Sequence, residues 1–354
     1  MRFSPDRLRQ FCTDLFGVLN VEQEDAFMAA DALVQADTRG VFSHGCMRMP
    51  QYLRSLKSGG VRPDSRLAVV AESPAFALLD AGAGLGIPAS VRAMRMAMEK
   101  AQTVGAAFVN VRNSHHHGAC GYYSMMCAKE GLAGMAMSTG DIIMAVTGSR
   151  GKAIGNNPFS YALPAGRFGV ICYDVAMSVV ASGKLVVLAE EGERVPFGWL
   201  LDTQGNPTDD PAEHLRGGAL LPFGGYKGYG LSVMVECFAG LLSGAAMLGD
   251  IHAWNRDPQR SGNVGHCFIA VDPNIVNPGL DLPLRAEELI EKLIASERAP
   301  GVDRIYFPGE IENEKEADAY KNGVALPTAS VKALSAAASA ASVLYNEEKL
   351  LYKR

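Results

Sequence analysis

The chain lacks any uninterrupted apolar run of about 18 residues, the length a bilayer crossing needs, so no membrane span is expected. It opens on charged and polar residues with no apolar stretch of leader type, which argues against a secretion signal. Its 7 cysteines, at 12, 46, 120, 127, 172, 237 and 267, are odd in number and scattered, with no C-x-x-C pair. That pattern argues against a disulfide or zinc framework and fits reduced thiols in a cytoplasmic protein. Cationic residues are outnumbered, 33 Lys and Arg against 38 Asp and Glu, for a net charge of -5. Nucleic acid is therefore not expected as a main partner, because a phosphate-binding face needs clustered Lys and Arg.

Signature loops are missing too. No G-x-x-x-x-G-K-[ST] loop occurs, and no G-x-S-x-G elbow of a serine hydrolase. Gly82-Ala83-Gly84-Leu85-Gly86 approaches a dinucleotide fingerprint, but Ile87 stands where the third glycine belongs. No acidic residue closes the following strand, which runs into Arg112-Asn113, so the segment reads as a turn.

Hydrophobic residues make up 48% and charged residues 20% of the 354, the balance of a globular chain longer than one ordinary core. Ser4 as a cap, Pro5 in the first turn and Leu8, Phe11, Cys12, Leu15 and Phe16 at helical spacing predict a first helix. Further helices are expected over 21–36 and 47–58, the latter ended by Gly59-Gly60. From Leu67 the pattern turns to short strands over 67–71, 75–79, 107–111, 133–138, 160–163, 169–173 and 267–271. Helices are expected among and after them over 88–103, 122–130, 185–190, 229–243, 286–296 and 329–345. Strands and helices intermix without strict alternation, so the expected fold is mixed α/β: a large mixed β-sheet covered by helices, with an N-terminal helical lobe. The lobe should span 1–65, carry His44 and Arg48 and pack with the C-terminal helices. The sheet domain should span 66–310 and a C-terminal helical segment 311–354.

Of 7 histidines, three stand together as His115-His116-His117, between a strand and a helix, and a fourth lies in Ser43-His44-Gly45. Loops held between rigid elements are where α/β enzymes keep acid/base groups, and imidazole moves protons near neutral pH. Adjacent residues in an extended segment point to opposite faces, so at most two of the triplet converge, and no carboxylate or cysteine at ligand spacing completes a metal set. The plain alternative, one histidine buried and hydrogen-bonded with the others exposed, suits His116 least. Arg48, in the first turn of a helix beginning near Met47, falls close to His44 and can hold a carboxylate by paired hydrogen bonds; the plain alternative is a surface ion pair. Phe223-Gly224-Gly225-Tyr226-Lys227-Gly228-Tyr229-Gly230, leading into an apolar helix, can present backbone N–H groups and a lysine to phosphate, though such turns are common.

Taken together, ADTRGVFSHGCMRMPQYLRSLKSGGV (36–61), NSHHHGACGYYSMMCAKEGLAGMAMS (113–138), IGNNPFSYALPA (154–165), YDVAMSVVASGK (173–184), GGYKGYGLSVMVE (224–236), VGHCFIAVDP (264–273) and FPGE (307–310) resemble the malate/L-lactate dehydrogenase family of the non-Rossmann type. Relatives in that family include ureidoglycolate and sulfolactate dehydrogenases, diketogulonate reductase and piperideine-2-carboxylate reductase. The resemblance implies a non-Rossmann NAD(P)-binding fold, which accounts for the absent fingerprint, and a homodimer or higher homo-oligomer. It implies that His44 and His116 are the acid/base candidates, that Ser43 supports His44, and that Arg48, with Tyr52, binds the substrate carboxylate. It places Asp174, Val175, Ala176, Met177, Ser178, Val179, Val180 and Lys227 in segments that contact NAD or NADP, with Pro308, Gly309 and Glu310 of the 307–310 turn. Two positions depart from the family pattern: histidine at 115 and 117 where relatives often carry other residues, and Gly140 where some relatives offer the cofactor a hydroxyl.

The implied activity is hydride transfer between a nicotinamide cofactor and a small 2-hydroxy or 2-oxo carboxylic acid of malate, lactate or ureidoglycolate type. Histidine suits the accompanying proton transfer in either direction. One alternative is reduction of a cyclic imine carboxylate of piperideine or pyrroline-2-carboxylate type, which needs the same clamp and proton donor. Another is a non-catalytic dinucleotide sensor, against which the retained histidines and Arg48 weigh, because a sensor needs no proton donor.

Overall fold

A computed structural model describes residues 1–352; residues 353 and 354, the end of the expected C-terminal segment, lie outside the described residues. Helix α1 (Pro5–Gly17) starts as its sequence predicts, with the Ser4 hydroxyl accepting from the Arg7 N–H, and it buries Leu8, Cys12, Leu15 and Phe16. Helix α2 (Gln23–Thr38) sits two residues later than predicted at each end. Helix α3 (Met49–Ser58) begins later than predicted, because residues Phe42–His44 and Cys46–Arg48 wind into two short 3-10 turns instead. It ends as predicted at Gly59, whose φ of 82° is left-handed. One face of α3 buries Met49, Tyr52, Leu53 and Leu56, each contributing roughly 1.5–3 kcal/mol relative to exposure.

The strands run β1 (Ala68–Ser73), β2 (Phe76–Asp80), β3 (Ala106–Ser114), β4 (Ala133–Ser138), β5 (Met144–Ala145), β6 (Lys152–Ile154), β7 (Phe159–Pro164), β8 (Val170–Val175), β9 (Leu200–Leu201), β10 (Pro207–Thr208), β11 (Ala219–Leu220) and β12 (Val264–Val271). Seven of them form one mixed sheet in the order β1-β2-β3-β12-β4-β7-β8. Within it only β2 and β3 pair in parallel, joined through α4 (Gly86–Val104); every other pair is antiparallel. The last strand in sequence is thus central in space. Its side chains alternate between two cores: Phe268 and Ala270 face the helical lobe, while Cys267 and Ile269 face the opposite side. Helices α4 and α5 (Cys120–Lys129) cover the lobe side.

A second sheet, β10-β9-β11-β5-β6, was not expected. Its strands are two or three residues long, too short to leave an alternating period in the sequence. The helix predicted over 229–243 is broken: an α-helix over Tyr226–Val235 passes into a π turn over Glu236–Leu241. The buried Glu236 carboxylate accepts from Asn157 Nδ2 at 2.8 Å and from the Leu248 N–H at 2.9 Å. At the far end, the helix over Thr328–Ala341 packs on α3 and the turn before it, burying Leu334, Ala337 and Ala338 in the core that holds α1 and α2.

Candidate active site

The loop between α2 and α3 carries Ser43, His44 and Arg48, and Asp37 at the end of α2 holds it. One Asp37 oxygen accepts from the Cys46 N–H at 2.9 Å. A Cβ on Gly45 would fall 1.9 Å from the other, so only glycine lets the loop lie this close. Burial pushes the Asp37 carboxyl up to about 7, against the hydrogen bonding from Cys46 that favours its charged form. Ser43 Oγ lies 2.9 Å from His44 Nδ1. Arg48 Nε donates to the Ser43 carbonyl at 2.6 Å, which braces the loop upon itself. The two terminal nitrogens of Arg48 have no protein partner among the described residues, although burial lowers the proton affinity of the guanidinium.

The histidine triplet follows β3 and reaches the same place. The His44 and His116 rings lie nearly parallel, 5.7 Å apart at 16°. Tyr52 Oη, on α3, is 2.6 Å from His116 Nδ1, so this hydroxyl is engaged with an imidazole. The Gly118 N–H donates to the same Nδ1 at 3.3 Å. A backbone N–H can only donate, so Nδ1 of neutral His116 is the acceptor and its proton sits on Nε2. The plain reading of the triplet, one buried and two exposed, is reversed. His115 and His117 are buried, each 2% exposed, and His116 keeps a partial opening.

His117 stacks on His266 at 4.4 Å and 2°, with Ser90 and Cys120 at its nitrogens. His266 in turn lies 2.9 Å from both Ser138 Oγ and Ser114 Oγ. These are core contacts. Burial pushes His44 down to about 4, the Arg48 charge adding to the shift, and pushes His115 to about 4. It holds His116 well below the ordinary histidine range, with the nearby His44, Arg48, His117 and His115 acting in the same direction. Two neighbours had no signal in the sequence reading: Asp37, and Trp254, whose indole stacks on His116 at 4.5 Å and 14°.

The segments expected to contact a cofactor are laced together and joined to the histidine loop. The Asp174 carboxylate accepts from the Gly121 N–H at 2.7 Å, at the first turn of α5, which ties β8 to the chain just after His117. Desolvation raises the Asp174 carboxyl to about 6, although the residue keeps an exposed edge. The Met177 N–H donates to the Asn156 carbonyl at 2.7 Å, and the Met177 carbonyl accepts from the Phe223 N–H at 3.0 Å. A Cβ on Gly228 would stand 2.4 Å from the Phe223 carbonyl and 3.1 Å from that of Met177, so the glycine-rich turn bearing Lys227 closes directly on this segment.

Met177, Ser178 and Val180 turn inward, which leaves Val175, Ala176 and Val179 as the more open positions. Lys227 is exposed in the first turn of its helix and has no ion pair among the described residues. The Pro308 carbonyl accepts from the Cys172 N–H at 3.1 Å, docking the 307–310 turn on β8. Glu310 is engaged by Arg304 and by the Phe307 N–H, while Gly140 has open space where a side chain would extend. An exposed lysine at the positive end of a helix suits the phosphates of a dinucleotide, so these residues fit such a group.

Among the described residues no three His, Cys, Asp or Glu side chains converge as a metal set, and all 7 cysteines are free thiols. Exhaustive chelation is therefore expected to leave activity unchanged. Stoichiometric zinc with loss of turnover on its removal would contradict this and reopen a hydrolytic reading of the histidines.

The chain meets known proteins along nearly its whole length. The family model described as malate/L-lactate dehydrogenase matches residues 3–335. The chain is 36% identical over 317 residues to malate dehydrogenase of Pyrococcus abyssi (strain GE5 / Orsay), covering 88% of this chain and 86% of that protein. It superposes on sulfolactate dehydrogenase from Methanocaldococcus jannaschii with a TM-score of 0.90 at 32% identity, covering 99% and 100% of the two chains. It also superposes on delta1-piperideine-2-carboxylate reductase from Pseudomonas syringae pvar. tomato with a TM-score of 0.86 at 31% identity, covering 95% and 99%. The chain belongs to the malate/L-lactate dehydrogenase family. It is an oxidoreductase of that family.

Proposed function

We propose that the chain is an NAD(P)-dependent dehydrogenase of small 2-hydroxy/2-oxo carboxylic acids. The observation that carries this reading is the part-buried Arg48 guanidinium, with no carboxylate partner among the described residues, beside two histidines kept neutral by burial. A charge removed from water without a counter-ion is costly, and the planar fork left open at Arg48 matches a carboxylate. A 2-oxo acid supplies that carboxylate one bond from the carbonyl to be reduced. Its negative charge also raises the proton affinity of the histidines around it.

Bound in the segments joined through Asp174, Met177 and Lys227, and the 307–310 turn, the nicotinamide cofactor supplies or accepts the hydride. In the reductive direction His116, protonated once the substrate carboxylate is bound and oriented by Tyr52, gives the proton on Nε2 to the carbonyl oxygen as it becomes a hydroxyl, and is left as neutral imidazole. In the oxidative direction it takes that proton back. His44, with Ser43 at its Nδ1, stands parallel to His116 and is proposed to hold the same oxygen by hydrogen bonding. The protein thus places and polarises, and the cofactor carries the redox chemistry.

The 7 free thiols support a reducing, cytoplasmic setting. Exposed Leu231, Val233, Phe238, Leu241 and Leu242, on one helix and the turn after it, support a homodimer or higher homo-oligomer. Reduction of a cyclic imine carboxylate is a second reading, supported by the likeness to the Pseudomonas syringae reductase and by the flat Trp254 ring beside His116.

The test is a nicotinamide-absorbance screen of 2-oxo acids and cyclic imine carboxylates with NADH and NADPH. Turnover of at least one 2-oxo acid is expected. Turnover of imines alone selects the second reading, and cofactor binding without any turnover returns the sensor.

A further inference from the structure

Trp254 is one of 2 tryptophans in the chain and lies in the loop that leads into β12. Its indole meets three groups of the site at once. It lies flat on His116 at 4.5 Å and 14°, stands edge-on to His115 at 5.2 Å and 90°, and tilts against Tyr52 at 5.0 Å. The loop is held from both sides. A Cβ on Gly60 would come within 2.3 Å of the Pro258 carbonyl, so the loop rests on the turn that ends α3. Arg256 pairs with Asp141 at 3.7 Å. The indole is therefore anchored to the same helix that presents Tyr52.

The chemistry around His116 gives this contact a purpose. The titratable groups that face it are His44, Arg48, His115, His117 and the Tyr52 phenol. None is a carboxylate, and each that takes a charge near neutrality becomes a cation. The electron-rich face of the indole is the one surface packed on the ring that favours an imidazolium. Tyr52 can serve both protonation states. Its hydroxyl donates to Nδ1 of the neutral ring at 2.6 Å, or accepts from Nδ1–H and turns its own proton to the His116 carbonyl at 3.4 Å.

We propose that Trp254 is a positioning residue for the proton transfer, fixing the plane of the His116 ring and stabilising its protonated form through the indole face. The inference rests on the reading of His116 as proton donor. The step is balanced: the imidazolium Nε2–H bond breaks, an O–H bond forms on the reduced carbonyl, and the ring returns to neutral imidazole. Electrons come only from the hydride donor of the proposed reaction.

The test uses the full chain with Trp254→Leu, Trp254→Phe, Trp199→Phe and His116→Gln. In Trp254→Leu the alkaline limit of reductive kcat should move to lower pH by about 0.5–1.5 units, the worth of a desolvated cation–π contact. The sign follows from the chemistry, because a less stable imidazolium loses its proton earlier as pH rises. KM should change far less than kcat, and Trp254→Phe should restore most of the profile. An unchanged profile in Trp254→Leu, or equal losses with Leu and Phe, overturns the proposal.

Should Trp254→Leu not fold, the Trp199→Phe protein leaves Trp254 as the sole indole, and a proton on the ring stacked against it quenches its emission. With a 2-oxo acid bound and no reduced cofactor present, its carboxylate raising the proton affinity of His116, acidification from pH 8 to 5 should then dim the fluorescence, and adding His116→Gln should abolish the dimming. Emission that does not respond to pH, or a response that survives His116→Gln, also overturns the proposal. If His116→Gln leaves kcat intact, the underlying reading of His116 fails with it. If His116→Gln abolishes turnover while the Trp254 profile stays put, the positioning role alone fails.

Discussion

His116→Ala is expected to lower kcat by roughly 10²–10⁴-fold, the usual worth of a positioned general acid or base, with the fold intact. His116 keeps an opening to the site, and its Nδ1 edge is occupied by Tyr52 and the Gly118 N–H, which leaves Nε2 for chemistry. His44→Ala should fall in the same range, because its ring stands 5.7 Å from that of His116 and next to the Arg48 charge. His115→Ala and His117→Ala should behave differently. Both rings are buried, and His117 is packed between His266 and Tyr123. Removing a buried ring of this size leaves a cavity and strands its partners, a loss of about 2–4 kcal/mol of stability. Turnover per folded molecule should stay within a few-fold. The paired measurement is kcat with thermal unfolding for all four variants. A kcat loss at His115 or His117 as large as at His116, with an unchanged Tm, would reverse the division of labour.

This division was only half visible in the chain itself. That two of three adjacent histidines share a face followed from strand geometry, but which face is solvent and which is core depends on β12, more than a hundred residues downstream. His266 on that strand supplies the ring on which His117 stacks. The sheet was legible where strands of five residues or more carry an alternating pattern, as in β7, and not in β5, β6, β9, β10 and β11, which are too short to show one. The helix expected over 229–243 contained no sign that Glu236 turns inward to bind Asn157 and Leu248 where the turn widens. Trp254 lies in a loop with no periodicity at all. Its place on His116 exists only because the loop rests on Gly60, at the end of a helix two hundred positions earlier. Asp37 was within reach of inference: an acid seven residues before a loop histidine, at a helix end, is a reasonable holder of that loop. Its burial and its fit against Gly45 were not.

Arg48→Lys keeps the positive charge, and it is expected still to cost roughly 10–150-fold in kcat/KM on a carboxylate substrate for each charge-assisted hydrogen bond lost. Two consequences of the geometry separate in this variant. The Nε bond to the Ser43 carbonyl at 2.6 Å braces the loop that carries His44, and lysine has no equivalent donor at that point. That part of the loss should appear equally with every substrate. The two terminal nitrogens, which have no protein partner among the described residues, account for the rest, and that part should appear only where a carboxylate is present. The measurement is kcat/KM for a 2-oxo acid and for its amide in both proteins, with dinucleotide affinity as the control. The wild type should prefer the acid strongly, the preference should collapse in Arg48→Lys, and cofactor binding should hardly move. An acid-to-amide ratio that is the same in both proteins would leave Arg48 as a brace for the His44 loop only, and the carboxylate clamp would have to lie on another element.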